Sequence, residues 1–240
     1  MSERSPLLRY WPRRADGLPP GQRLAPAMPR FSDSPKRWAP AAPDRPTLTI
    51  SHDGVDHVLD LDDLERFGAV DTSADFHCVT TWSVQGLRWR GVRLREVVDH
   101  VLGTLSPSPF ARAVAADRAA ARFVTEDLLA DDVLVATHLG GEPLTLRHGA
   151  PLRLVCPRQY AYKSAKHLVA IEFLDELPDS AYGPKEHLRA RVDREERHER
   201  LPNWLLRWPY RVAIPITARW ADRALAERPD GVAVRTRAGR

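Results

Sequence analysis

Residues 47–61 read Thr-Leu-Thr-Ile-Ser-His-Asp-Gly-Val-Asp-His-Val-Leu-Asp-Leu. Thr47–Ser51 and Val55–Leu61 alternate apolar with polar side chains around Asp53-Gly54, the signature of two antiparallel strands joined by a tight turn. The same texture continues outward from this hairpin. Leu61–Phe67 reads as a short helix and Phe76–Thr81 as a β-rich run, while Leu87 and Trp89 alternate with Arg88 and Arg90 up to Arg93. Apolar residues at 94, 97, 98, 101 and 102 give Leu94–Leu102 helical spacing. Glu126–Ala130 reads as a short helix and Val133–His138 as a strand. Gly140-Gly141 then turns the chain into Pro143–Leu146, and Pro151–Cys156 and His167–Phe173 are further strands. Many short strands with few helices predict a mixed, mainly β domain of the α+β class over residues 47–184. A doubly wound parallel sheet is disfavoured because long helices do not alternate with the strands. Neither a GxGxxG nor a Walker A sequence is present, which removes the main signal for nucleotide-dependent enzymes.

The flanks differ from this centre. Ten of the 21 prolines fall in residues 1–46, so that segment is neither helix nor central strand. It reads as an extended arm with intermittent apolar anchors at Leu24, Met28, Phe31 and Trp38, or alternatively as disordered chain. Residues 185–240 read as a basic helical extension, with the mixed-sign run Arg189–Arg200 as an exposed helix and Ile216–Glu227 as a second one presenting Trp220, Ala224 and Leu225. Net charge is +5 over 1–46, −7 over 47–184 and +6 over 185–240, giving +4 for the 240 residues. An acidic centre with basic ends argues against a nucleic-acid reader, which would concentrate cations on its folded face. The basic ends suit an acidic partner or an anionic surface. No run approaches the ~18 apolar residues of a membrane helix, and two cysteines make no disulfide framework. With no apolar leader core at the N-terminus, the expected compartment is the cytoplasm.

Three stretches carry candidate chemistry. Cys78, in Asp75–Ser83, offers a soft thiolate to a soft or high-valent metal, or is simply a small buried hydrophobe. His77 points to the other face of a strand, so the pair cannot chelate one ion, and no further Cys or His pair supports zinc. In His148–Pro157 a histidine-bearing turn feeds the apolar run Leu-Arg-Leu-Val. Arg153 there is costly to bury without an anion, either a structural carboxylate or a ligand phosphate. The chain uses 32 arginines and four lysines, yet Lys163 and Lys166 bracket Ser164 and Ala165. That turn is either a phosphate cradle or a solvated connection before a strand. Cys156 reads as core, and a Cys78–Cys156 disulfide is not expected in a reducing compartment.

Taken together and in order, DFHCVTTWS (75–83), W-x-G-V-x-L (89–94), GEPL (141–144) with HGAPLRLVCP (148–157), and YAYKSAK (160–166) with IEFL (171–174) resemble the molybdopterin-binding domain of the sulfite oxidase family. The likeness is to its short bacterial sulfite-oxidase-like branch, related to the methionine sulfoxide reductase catalytic subunit. It begins at Leu18-Pro19-Pro20-Gly21-Gln22 and reaches about Asp175. The resemblance implies a sulfite-oxidase-type fold and a molybdenum–molybdopterin cofactor, with Cys78 as the protein thiolate on the metal and the catalytic position. It implies that His148 and Arg153 contact the pterin and its phosphate. Ser164, Ala165 and Lys166 would hold the phosphate end, largely through backbone amides, with Lys166 supplying charge.

The implied activity is oxygen-atom transfer on a small sulfur-oxo or similar substrate. Because no haem or iron–sulfur ligand set is present, a separate electron-transfer partner is implied, with the basic C-terminal region as its candidate docking surface. Homodimers occur in parts of the family. Two departures stand out. The place of an Asp-Gly-Tyr-Thr-Thr-like stretch reads Asp117-Arg118-Ala119-Ala120-Ala121, removing a hydroxyl that seats the pterin in relatives, and Ser83 replaces the arginine that true sulfite oxidases carry about five residues after the ligand cysteine. The second argues against sulfite itself, and Trp82, Trp89 and Tyr162 are candidates for a more apolar mouth. The first leaves open a cofactor-free binding or scaffold protein on a decayed fold.

Overall fold

The computed structural model describes residues 12–25, 28, 43–103, 107–181, 183, 186–200 and 204–226, the last nine or so by backbone alone save Arg219. The alternation at 47–61 becomes two paired strands, β2 (Thr47–His52) and β3 (Val55–Asp60), in register from Thr47 opposite Asp60 to His52 opposite Val55. They follow a short strand from the arm, β1 (Arg23–Leu24). Asp60 then caps helix α1 (Leu61–Arg66) through a reciprocal capping box with Asp63. The chain continues through β4 (Val70–His77), β5 (Trp82–Arg93) and helix α2 (Leu94–Leu102). Next come β6 (Phe110–Ala115), β7 (Ala120–Val124), helix α3 (Thr125–Leu128), β8 (Leu134–Leu139) and β9 (Glu142–Pro143). Last are β10 (Arg153–Val155), β11 (Leu168–Leu174) and helix α4 (Arg207–Ala226).

Two sheets result. One runs β1-β5-β8-β10, with β4 also on β5 and β9 on β8; the other runs β3-β2-β11-β6-β7. Only the β1/β5 and β2/β11 pairs are parallel among these. The α+β reading therefore holds, with mixed sheets and short helices.

The first sheet separates two apolar clusters, and strand periodicity decides which residue enters which. In and around β10, Leu152, Leu154 and Cys156 enter the cluster shared with the second sheet and α2, whereas Val155 enters the opposite one with Cys78, Trp82 and Trp89. Strand β8 divides likewise, Val135 to the first and Leu134 and Ala136 to the second. Along β5, Trp89 and Val92 are an odd number of residues apart and so serve the second and the first cluster, and the pairing with β8 shifts by one residue between Arg90 and Gly91, leaving Thr137 of β8 unpaired in the ladder. At Gly91 the strands approach so closely that a Cβ would stand 2.1 Å from the Val135 carbonyl oxygen.

Several expectations change. The β6–β7 hairpin was not legible as strands: its turn holds Asp117 and Arg118, the latter at φ +66°. Residues 186–200 are not an exposed helix. They form turns and a single bridge from Arg191 to Gln159, because Ala190 and Glu195 adopt positive φ (52° and 55°), which breaks any helix. The C-terminal helix starts at Arg207, nine residues earlier than the spacing suggested. In the arm, Leu24 is half-buried and Met28 enters the Cys78 cluster, while Phe31 and Trp38 lie outside the described residues, as do the Trp220, Ala224 and Leu225 side chains.

Candidate active site

Cys78 stands where β4 ends. Its N–H donates to the Trp82 carbonyl (2.8 Å) and its carbonyl accepts from the Thr81 N–H (3.0 Å), closing a tight loop in which Thr81 takes φ +75°. The arm clamps this loop from outside: Gln22 Nε2 donates to the Cys78 carbonyl (3.1 Å), and Ser83 Oγ donates to Gln22 Oε1 (3.0 Å). His77 Nδ1 meets Ser83 Oγ at 2.8 Å, so His77 serves the clamp, and burial lowers its pKa against the opposing pull of Asp75. Cys78 Sγ lies 3.1 Å from Thr80 Oγ1. Burial pushes the Cys78 thiol up, while the Thr80 contacts and the positive charges of Arg197 and Lys166 pull it back down.

Arg153 is fully buried, its guanidinium 5.1 Å from the Phe76 ring centre and 5.0 Å from that of Trp89, both in the Cys78 cluster. It also ties the two neighbouring loops together, donating to the carbonyls of His148 (2.9 Å) and Ser164 (3.3 Å). His148 ends a 3-10 turn, Leu146–His148, and its Nδ1 lies 3.1 Å from Thr145 Oγ1. The 148 and 164 loops are further joined by the His167 N–H to Gly149 carbonyl bond (3.0 Å) and by His167 Nδ1 against the Ala150 carbonyl (2.6 Å).

Ser164 accepts the Cys156 N–H on Oγ (3.0 Å), and Ala165 turns its methyl into the first cluster while its carbonyl accepts from Leu154 (2.8 Å). The Ser164 and Ala165 amides themselves donate within the turn, to Ala161 and Lys163. Lys166 is half-buried, with Nζ 3.3 Å from the Arg147 carbonyl and close enough to Cys78 to act on its thiol. Arg153 thus links the His148 and Ser164 loops to the aromatic cluster that holds Cys78, and Lys166 brings its charge to the same cysteine, while the Ala165 methyl lies in the opposite cluster.

Lys163 does not join them. It is fully buried and pairs with Glu186 (2.9 Å), also fully buried, and donates to the Arg122 carbonyl. The two lysines of the turn therefore face different partners. Trp82 and Trp89 are core residues rather than a mouth, and Tyr162 is held by His187, whose N–H donates to its hydroxyl (3.0 Å). Cys78 and Cys156 are both free thiols, and burial drives the Cys156 pKa far upward.

Two contributors were invisible in sequence. Gln22 carries no signal of its own beyond its place in Leu18-Pro19-Pro20-Gly21-Gln22. Arg197, fully buried, donates to the Val79 (2.6 Å) and Pro20 (3.3 Å) carbonyls and so brings a cation to the Cys78 loop, where Ser83 offers none. Gly21, at φ +69°, leaves room for this: a Cβ there would fall 2.7 Å from Glu195 Oε1 and 2.9 Å from Arg197 Nη2. The Asp117–Ala121 departure spans the β6–β7 turn and the start of β7, and beside it the Ala116 N–H donates to the His167 carbonyl (2.8 Å).

These residues fit an anionic, hydrogen-bonding group. Lys166 and Arg197 bring positive charge to the cysteine, Arg153 stands against the Phe76 and Trp89 rings of the same cluster, and Thr81 Oγ1 and Trp89 Nε1 are buried donors with no hydrogen-bond partner among the described residues. No group of three or more His, Cys, Asp or Glu side chains suited to a metal occurs among the described residues, so a metal here would need ligands from outside the protein besides Cys78.

Residues 37–182 match the model of the oxidoreductase molybdopterin binding domain. The chain belongs to that family. Members of this oxidoreductase family bind a molybdenum–molybdopterin cofactor. Among curated proteins, the chain is 36% identical to an uncharacterized oxidoreductase YuiH of Bacillus subtilis over 124 residues, 51% of this chain and 62% of that one. It is 30% identical to the protein-methionine-sulfoxide reductase catalytic subunit MsrP of Xanthomonas campestris over 194 residues, 71% of this chain and 58% of that one. The chain thus spans about six-tenths of these relatives' length. The sulfane dehydrogenase SoxCD of Paracoccus pantotrophus superposes with a TM-score of 0.50 over 73% of this chain and 47% of that one at 20% identity, which supports the fold.

Proposed function

We propose that this member of the oxidoreductase molybdopterin binding family is an enzyme that transfers an oxygen atom to or from a small sulfur-oxo or similar substrate. The single observation that carries the reading is the placement of Cys78 beside the cations Lys166 and Arg197, with Arg153 buried against the same aromatic cluster. When bound, the cofactor supplies the two-electron redox chemistry of the transfer. The protein's part is positional and electrostatic. Cys78 Sγ would bind the metal as thiolate, which burial alone opposes and the neighbouring positive charges favour. Arg153 and His148 would contact the pterin and its phosphate, and Ser164, Ala165 and Lys166 would hold the phosphate end, with Lys166 Nζ bringing charge. Trp82 and Trp89, both buried, would keep water from their side of Cys78. The substrate would be a small oxo acceptor or donor such as a sulfoxide, in line with the MsrP relatives. A separate electron-transfer protein would complete the cycle.

The test is elemental and pterin analysis of the chain expressed in a host that makes the cofactor. Molybdenum in a one-to-one ratio with a releasable fluorescent pterin is the expected result. A chain with neither would be a binding protein on a decayed fold. In the same preparation, Cys78→Ser should abolish redox turnover while the pterin stays bound, and turnover at the wild-type rate would remove the assigned role.

A further inference from the structure

Helix α4 has two unlike sides. Its inner side is committed to the protein. Ile214 is fully buried in the Cys78 cluster, Tyr210 meets His198 Nε2 at 3.0 Å, Arg207 grips both Glu195 oxygens (2.6 and 2.7 Å), and Arg211 donates to the Gly21 carbonyl (3.3 Å). The outer side carries large apolar groups in water. Trp204 and Trp208 are 69% and 72% exposed, and Leu205, Val212 and Ile216 are exposed with them. Positions 208, 212 and 216 step by four and so form one stripe along the helix, with Trp204 and Leu205 in the turn at its foot. Exposed apolar residues scattered singly need no explanation; a continuous stripe with two indoles does.

Charge says what covers it. From Trp204 to Arg240 there are eight arginines against three carboxylates, and Arg219 stands two turns beyond Val212 on the same side of the helix. A second copy would bring this cationic segment against itself, which like charge opposes. A membrane surface has the complementary chemistry: indoles settle at the boundary between headgroups and acyl chains, and arginines attract acidic headgroups. No helix among the described residues is long and apolar enough to cross a membrane, so α4 would lie along the surface.

We propose that the outer face of α4 docks on an anionic lipid bilayer, with Trp204, Leu205, Trp208, Val212 and Ile216 entering the headgroup boundary. Docking would hold the Cys78 side of the molecule, against which the inner face of the same helix packs, close to the lipid surface.

Flotation of the full chain with vesicles tests this, using phosphatidylcholine alone and phosphatidylcholine with about one-quarter phosphatidylglycerol. Expected are binding to the anionic vesicles only, a blue shift of tryptophan emission on binding, and weakening at high salt. Trp204→Ser with Trp208→Ser should lower partitioning about tenfold or more, with unchanged thermal melting and molybdenum content. Arg219→Glu should weaken binding to anionic vesicles while leaving the indoles in place. Absence of vesicle binding, equal binding to neutral vesicles, or undiminished binding by the tryptophan variant would each overturn the proposal. So would a vesicle-free dimer that the tryptophan variant dissociates, which would assign the face to a second copy.

Discussion

Arg153 takes a full charge out of water entirely, and its compensation includes the carbonyls of two neighbouring loops and two aromatic faces. Only a planar guanidinium serves all four at once, since an ammonium cannot stack between rings and fork to two loops. Arg153→Lys should therefore lower stability by about 1–3 kcal/mol in urea unfolding and reduce the pterin retained on purification. A lysine chain of wild-type stability would show that the fork is dispensable. This residue was legible as unusual because a lone charge in Leu-Arg-Leu-Val asks for a partner, and Cys78 was legible because its loop sequence resembles a known ligand loop. Gln22 and Arg197 were not, since each acts on the Cys78 loop from 56 and more residues away and nothing local marks them. Lys163 shows the opposite error: its neighbour Lys166 suggested joint action, but alternation along the turn sends it to Glu186.

Among the elements, β5 bears the strictest requirement. Its pairing with β8 shifts by one residue at Gly91, and the backbone approach there excludes any side chain. Gly91→Ala should cost about 1–3 kcal/mol or prevent folding, read as a lowered midpoint in thermal or urea unfolding. The W-x-G-V-x-L motif showed a glycine here, but only the register explains it. The hairpin at 47–60 and helix α2 were readable because period and turn chemistry agree locally. Segment 186–200 was misread because its charges sit at helical spacing while its backbone turns at Ala190 and Glu195, positions no composition rule marks.

The same segment has a pH signature. A hydrogen bond from Arg191 holds the Glu196 carboxyl below its ordinary 4.5, with burial opposing and the Arg191 N–H and His187 assisting. As pH falls, the unfolded chain takes up this proton first, so the contribution is complete above about 4.5 and is lost as pH drops through the folded value. Glu196→Gln should thus be less stable than wild type near neutrality, and urea midpoints of the two should converge in acid. A constant gap down to strong acid would refute the linkage.

At the level of the whole molecule, the family match stops at 182 while the structure does not. Lys163, deep in the matched region, finds its carboxylate at Glu186, and Arg122 shares it (3.1 Å). A chain ending at 182 should lose about 3–5 kcal/mol from the stranded ammonium alone, with a broadened urea transition. Pairing that truncation with Lys163→Met should recover part of the loss, and no recovery would place the defect elsewhere. The fold class was readable at this scale because short alternating strands dominate the count, but the layering was not, since β2 beside β11 and β1 beside β5 join distant stretches.

The clasp at Gly21, where Arg197 reaches both Pro20 and Val79 across 177 and 118 residues, also sets an order in time. During synthesis the ribosome delivers the cysteine loop long before the arginine that fastens it to the leading arm. Until then the leading arm and the cysteine loop lack this tie, so the loop's final fastening waits on a residue near the far end of the chain.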